Sequence, residues 1–477
     1  MFHRRKTGAV GLLHSGRLAS GLSRREVLAG GVGAGALLAF PIGSPGSGST
    51  AATGSAASSG SWYAFLYGTP ESSPYPGGSF MAAQSPASAS SSAHSPFQLA
   101  STLAATPVTS PDQATVALAT VDTTAHGAKV TLTLIDQATA AVSKQGSLTL
   151  AGVPADASIL ATPVFAPGTT TVALVLAIMI PSTGGTLRKT DQSGKVTTAT
   201  ATTWKSHHEL AYFDSSSGTF TGAFDLADEP SLALTTVAAN GTDLFVWTTP
   251  KQQPTAYSKA NPKPAPLSTV RAFPLGSGKP RFSVQSPAPW PGGEPVATLA
   301  SGDIARLVYA RNLQVCSAKT GDITSHTLAP LAVDRPKPSA VTMQARPDGT
   351  LFIAKPGIGT AVIVDPADSF RVKSQVKFSV PRAPGSAPWT KAVLSSSGDT
   401  LYVVGGASSG GVSAYDVSTG KLTASYAQGG RQYTGLSVLP DGNVLAVGPT
   451  HPRLAFFSPA LSLLHTVDTS LQIAAVY

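Results

Sequence analysis

Tyr415-Asp416-Val417-Ser418-Thr419-Gly420-Lys421 places a carboxylate at the head of a tight turn and a glycine four residues later. The carboxylate accepts backbone N–H groups, and the glycine takes the left-handed conformation that a bulged hairpin needs. Phe213-Asp214-Ser215-Ser216-Ser217-Gly218 and Ala318-Lys319-Thr320-Gly321-Asp322 read the same way. A second signal precedes each such turn, a polar corner between two apolar runs. Arg346-Pro347-Asp348-Gly349 and Leu439-Pro440-Asp441-Gly442 are its clearest forms, and Ser110-Pro111-Asp112, Asn240-Gly241-Thr242-Asp243 and Ser397-Gly398-Asp399 are looser ones. The repeating unit is therefore an apolar strand, a polar corner, a second apolar strand and an Asp-led turn, and it recurs seven times.

Aligning the second strands gives starts near Thr115, Thr171, Leu244, Ala305, Leu351, Leu401 and Val444, separated by 56, 73, 61, 46, 50 and 43 residues. Two intervals are lengthened by inserted loops, 181–208 and 251–267; without them they shrink to 45 and 44. A period of about 45–50 residues with four strand-sized runs predicts propeller blades. Leu244-Phe245-Val246-Trp247 and Leu401-Tyr402-Val403-Val404 are continuously apolar, as strands covered on both faces must be. The predicted fold is all-β, a seven-bladed β-propeller over residues 61–477. Leu471–Tyr477 also reads as an inner strand, and Trp62–Tyr67 with Ser79–Ala83 could partner it, giving eight blades if the terminal strands form a split blade.

These motifs resemble the YVTN-type and WD-repeat-like β-propellers of secreted bacterial proteins, over roughly residues 100–477. The Trp-Asp dipeptide of true WD repeats is missing from the blade ends, so the YVTN-like comparison fits better. The resemblance implies an architecture and is nearly silent on activity, because such propellers host hydrolases, dehydrogenases and binding proteins alike.

The first residues read as an address. Ser23-Arg24-Arg25-Glu26-Val27-Leu28 leads into an uncharged run ending at Phe40 and resembles a twin-arginine export signal, with Val27 in place of the usual Phe. That run is 14 residues and glycine-rich, too short to span a bilayer. Residues 1–41 are expected to be the signal peptide, recognised by the twin-arginine machinery, and 42–60 a flexible Gly/Ser/Ala linker; the chain is expected to be secreted. Cys316 is the single cysteine, so no intrachain disulfide staples it, and within Leu313-Gln314-Val315-Cys316 it reads as a small buried hydrophobe.

Charged residues make up 12% of the chain and the formal charge is +9. Residues 1–50 hold six basic residues and one acid, which leaves +4 for the remainder. That is far from the signature of a nucleic-acid binder. The charge is unevenly spread. The first insertion carries Arg188, Lys189, Lys195 and Lys205 against Asp191, and the second carries Lys251, Lys259 and Lys263 with no acid. Both fall between the second and third strands of adjacent units, hence on one face. Together with Arg453 they are the candidate contacts for an anionic partner, an unidentified protein or a cell-envelope polymer. The loops Lys355-Pro356-Gly357, Gly405–Gly411 and Thr450–Arg453 would share that face. Aromatic residues in the insertions are sparse (Trp204, Tyr257), which argues against stacking of single-stranded nucleic acid.

No linear motif predicts a cofactor, a metal or catalysis. His207-His208-Glu209 invites a metal reading, but adjacent strand residues point to opposite faces, so the two imidazoles do not share an ion. Gly406-Ala407-Ser408-Ser409-Gly410 matches a nucleophile-elbow string, yet a strand follows it where the elbow needs a helix. The expectation is a monomeric binding protein. The alternative is an extracytoplasmic enzyme, lactonase-like or quinoprotein-like, which requires Asp, His or Arg gathered at the channel mouth.

Overall fold

A computed structural model of the chain describes residues 61–476 apart from 68–78, 85–93, 99–101, 105–106, 113, 125–126, 137–141, 191–195, 227–231, 251–266, 288–294, 309–311, 332–340, 347, 379–390, 405–410, 427–432, 434, 440–441, 448–452 and 469–471. The twin-arginine stretch with Ser23, Arg24 and Arg25, and the linker 42–60, lie outside the described residues.

The described strands form eight antiparallel sheets, seven of four strands and one of five, and the architecture is a β-propeller. Blades 1 to 7 follow one another along the chain, beginning at Thr102, Ser158, Leu232, Val296, Thr342, Lys391 and Gly435. Each of the seven second-strand starts read from the sequence lies within one residue of a second strand, from Thr115–Thr124 to Val444–Val447. In blade 1 the first strand is broken into Thr102–Leu103 and Val108–Thr109, both paired with Thr115–Thr124, which accounts for its fifth strand.

The eighth sheet meets the condition set for a split blade. Gln472–Val476 pairs with Ser61–Tyr67, which pairs with Ser79–Gln84 and then His94–Gln98. By the order of the other blades, the C-terminal strand is the innermost one and the N-terminal segment supplies the outer three.

Packing explains the continuous apolar strands. Among the described residues, six hydrophobic clusters each span two successive blades, with alternate residues of a second strand serving opposite neighbours. Leu244 and Val246 pack toward blade 2, whereas Phe245 and Trp247 pack toward blade 4. Complete burial of a side chain such as Phe245 contributes about 2–3 kcal/mol. First strands of successive blades touch from blade 1 to blade 7, which places them around the axis. Outer strands alternate exposed and half-buried residues, as in Arg371–Lys377.

The turns behave as their chemistry predicts. Asp416 Oδ1 accepts the Thr419 backbone N–H at 2.6 Å and the Ser418 hydroxyl at 2.7 Å, and Gly420 sits at φ +70°. Those bonds, led by the hydroxyls of Ser418 and Thr419, hold the Asp416 carboxyl down at about 2. Blade 7 makes the corresponding turn without glycine, with Leu461 at φ 59°. Polar latches join neighbouring blades at these turns. The Tyr212 hydroxyl donates to the Ser277 carbonyl at 3.0 Å, and the Tyr402 hydroxyl donates to the Pro459 carbonyl at 3.0 Å. Asn240 Nδ2 donates to the Gly302 carbonyl at 2.9 Å. Arg281 pairs with Asp243 at 2.7 Å and reaches the Ala318 carbonyl.

Candidate functional site

The most distinctive element leaves blade 2. Its second strand, Thr171–Thr190, and third strand, Val196–Asp214, continue as a two-stranded ribbon beyond the sheet. The flanking strands stop at the pairs Ser158↔Met179 and Leu226↔His208, while the ribbon pairs on from Ile180↔Lys205 to Thr190↔Val196. Ten residues per strand at about 3.3 Å each make a projection of about 30 Å. Residues 181–208, read from the sequence as an inserted loop, are therefore mostly strand. The reason is legible in hindsight: Thr197, Thr198, Thr200, Thr202 and Thr203 are β-branched and suit extended backbone.

The predicted contacts fall as follows. Arg188 and Lys189 lie near the ribbon tip, opposite Thr198 and Thr197, and Lys205 lies at its root, opposite Ile180. Arg453 opens the third strand of blade 7, opposite Asp468. Lys195, Lys251, Lys259 and Lys263 lie outside the described residues, as do residues 405–410. The two insertions occupy the same topological place, between second and third strands of blades 2 and 3. Lys355 is a departure from the expectation that its loop meets a partner. Its side chain is 1% exposed and its Nζ donates to the Leu331 carbonyl at 3.4 Å, so it serves the interior. Burial lowers its pKa from the ordinary value.

The channel wall is built from the first strands. Among the described residues of the eight innermost strands, Lys391 is the one ionisable side chain; the rest are apolar, Ser, Thr, Gln, Gly and Pro. Thr342 Oγ1 donates across to the Ala392 carbonyl at 2.9 Å and so joins blade 5 to blade 6. Burial lowers the Lys391 ammonium from 10.5 to about 8. Cys316 is buried as expected, and burial, followed by the charges of Asp303 and Asp322, pushes its thiol up to about 12.

A side-chain cluster not foreseen from the sequence lies at the ribbon root. His207 Nε2 stands 3.3 Å from Glu209 Oε1 and 3.4 Å from Asp225 Oδ1. His207 and Glu209 are two residues apart on one strand and share a face, and Glu209 pairs directly with Asp225 on the outer strand. This face continues into Ala211 and Phe213, which pack against blade 1. His208 is buried at 8% exposure, one residue along, so the two histidines are indeed on opposite faces. Burial raises the Glu209 carboxyl above its ordinary value, opposed by the His207 imidazole, with Asp225 adding to the rise. An open cleft of about 600 Å³ lies at the outer edge between blades 2 and 3, lined by Ala223 to Asp225 and Gly276 to Lys279.

Comparison with known proteins finds distant structural likenesses alone. No protein family matches the chain, and no curated protein matches it. Among solved structures it is similar to a eukaryotic initiation factor, at 12% identity and a TM-score of 0.41, covering 87% of this chain and 97% of that one. It is also similar to the dihydro-heme d1 dehydrogenase NirN in complex with DHE, at 12% identity and a TM-score of 0.48, covering 97% and 83%. At this distance neither likeness bears on activity.

Proposed function

We propose that this chain is an exported propeller that binds an anionic partner, a protein or a cell-envelope polymer, through the face from which the second-to-third-strand connections emerge. The observation that carries this reading is the ribbon of blade 2. It brings the positions of Arg188 and Lys189 about 30 Å beyond the blade, and the Lys-rich insertion of blade 3 leaves from the corresponding connection next to it. A long ribbon on a rigid ring is a reach device, and cations along it provide electrostatic capture. The Arg-Arg pair at 24–25 supports export through the twin-arginine route.

The test uses the full chain against immobilised polyanion, a phosphodiester polymer and an acidic protein in parallel. Affinity should fall steeply as salt rises from 50 to about 500 mM, where the Debye length shortens from about 14 to 4 Å. It should also fall at least tenfold when Lys251, Lys259 and Lys263 are replaced together by Ala. Binding that ignores both changes would sink the proposal.

A further inference from the structure

The ribbon root supplies an arrangement independent of any partner. We infer that His207, Glu209 and Asp225 form a binding site for a divalent transition metal, of the zinc class, that ties the third strand of blade 2 to its outer strand. The three side chains each offer one ligand atom, all within 4.8 Å of one another. Imidazole with carboxylate oxygens is a donor set that zinc accepts, at about 2.0–2.2 Å per bond. Two ligands of a tetrahedral ion with such bonds lie about 3.3–3.5 Å apart. The observed Nε2 to Oε1 and Nε2 to Oδ1 distances, 3.3 and 3.4 Å, are those of tetrahedron edges. The third edge, between the two carboxylates, lies within 4.8 Å, and an ion would draw the exposed Asp225 side chain to the length of the other two.

The surroundings suit an exchangeable ion. Asp225 is 76% exposed at its side chain, so the site opens to solvent, whereas Glu209 and His207 are 17% and 29% exposed and held by the sheet. The Glu209↔Asp225 rung fixes one carboxylate against the other through backbone pairing. Three protein ligands leave one position of a tetrahedral ion for water or an anionic oxygen. The site straddles the last four-stranded rung, at His208↔Leu226, and the ribbon continues alone from Ile180↔Lys205, three rungs further on. A bound ion would therefore brace the ribbon where it leaves the blade.

The experiment is a zinc titration of the untagged, chelator-treated full chain by calorimetry, with cobalt(II) absorption as a readout of geometry. The expected result is one equivalent bound, with the intense visible band of four-coordinate cobalt. His207→Ala and Asp225→Asn should each weaken that equivalent more than about 100-fold, beyond the loss usual for an outer-shell partner. The Asp225→Asn variant changes an exposed side chain without changing its size, and far-UV circular dichroism confirms its fold. His326→Ala, at a half-buried histidine of blade 4, should leave binding unchanged. No stoichiometric binding to the parent chain, binding that survives both ligand substitutions, or equal loss in His326→Ala would each overturn the site.

Discussion

Replacing Lys391 by Met should stabilise the propeller at neutral pH, and the gain should disappear in base. Lys391 stands at the start of an innermost strand, half-buried, with its ammonium lowered by burial from 10.5 to about 8. Where the unfolded chain holds a proton that the folded chain has released, stability rises with pH. The charged form is disfavoured in the fold, so the penalty is full below pH 8 and is relieved between about pH 8 and 10.5. At about 1.4 kcal/mol per pH unit the penalty at pH 7 is at most about 3 kcal/mol. Solvent still reaching the side chain reduces it to about 2 kcal/mol. Denaturant unfolding of both chains from pH 7 to 10 measures it. The variant's advantage should be about 2 kcal/mol at pH 7 and lose about three-quarters of that by pH 10. An advantage independent of pH, or a variant less stable than the parent at pH 7, would show that burial does not disfavour this cation.

Two further outcomes follow from buried groups. Cys316, with its thiol pushed up to about 12, should react with iodoacetamide at pH 8 roughly 1,000-fold more slowly in the folded protein than in denaturant, and a ratio within tenfold would contradict its burial. Asn240→Ala should cost about 2–3 kcal/mol in denaturant unfolding, because Oδ1 accepts the Thr242 and Asp243 backbone N–H groups and Nδ2 holds Gly302 of the next blade; a loss under about 1 kcal/mol would mean that water replaces these bonds.

The blade repeat was legible because it is written in local chemistry. Asp416, Asp214 and Asn240 accept the backbone groups that their turns present, and continuous apolar runs report strands covered on both faces. The closing sheet was legible as a possibility, since Leu471–Tyr477 and Trp62–Tyr67 each have strand character, but the pairing that decides it joins residues far apart in the chain. The turn at Leu461 carries no glycine to announce it, because packing holds a buried leucine in the left-handed region. The cluster of His207, Glu209 and Asp225 was hidden by register. Counting back from the turn that pairs Asp214 with Thr219 would set Phe224 opposite Glu209. A bulge between Tyr212 and Phe213 shifts the pairing by one residue and brings Asp225 there instead.

The closing sheet has a consequence for how the molecule is made. Three of its strands are among the first described stretches to leave the ribosome, and the fourth, Gln472–Val476, is the last. Blades 1 to 7 can stack as they are synthesised, but Ser61–Tyr67 waits beside an unoccupied lane until Gln472–Val476, about 400 residues later, has been made. The eighth sheet therefore depends on the pairing most distant in sequence among the described strands. A chain lacking Gln472–Val476 keeps blades 1 to 7 yet exposes the edge of Ser61–Tyr67. Such an edge is a template for the inner strand of another copy, so losing that one strand exchanges an internal pairing for an intermolecular one.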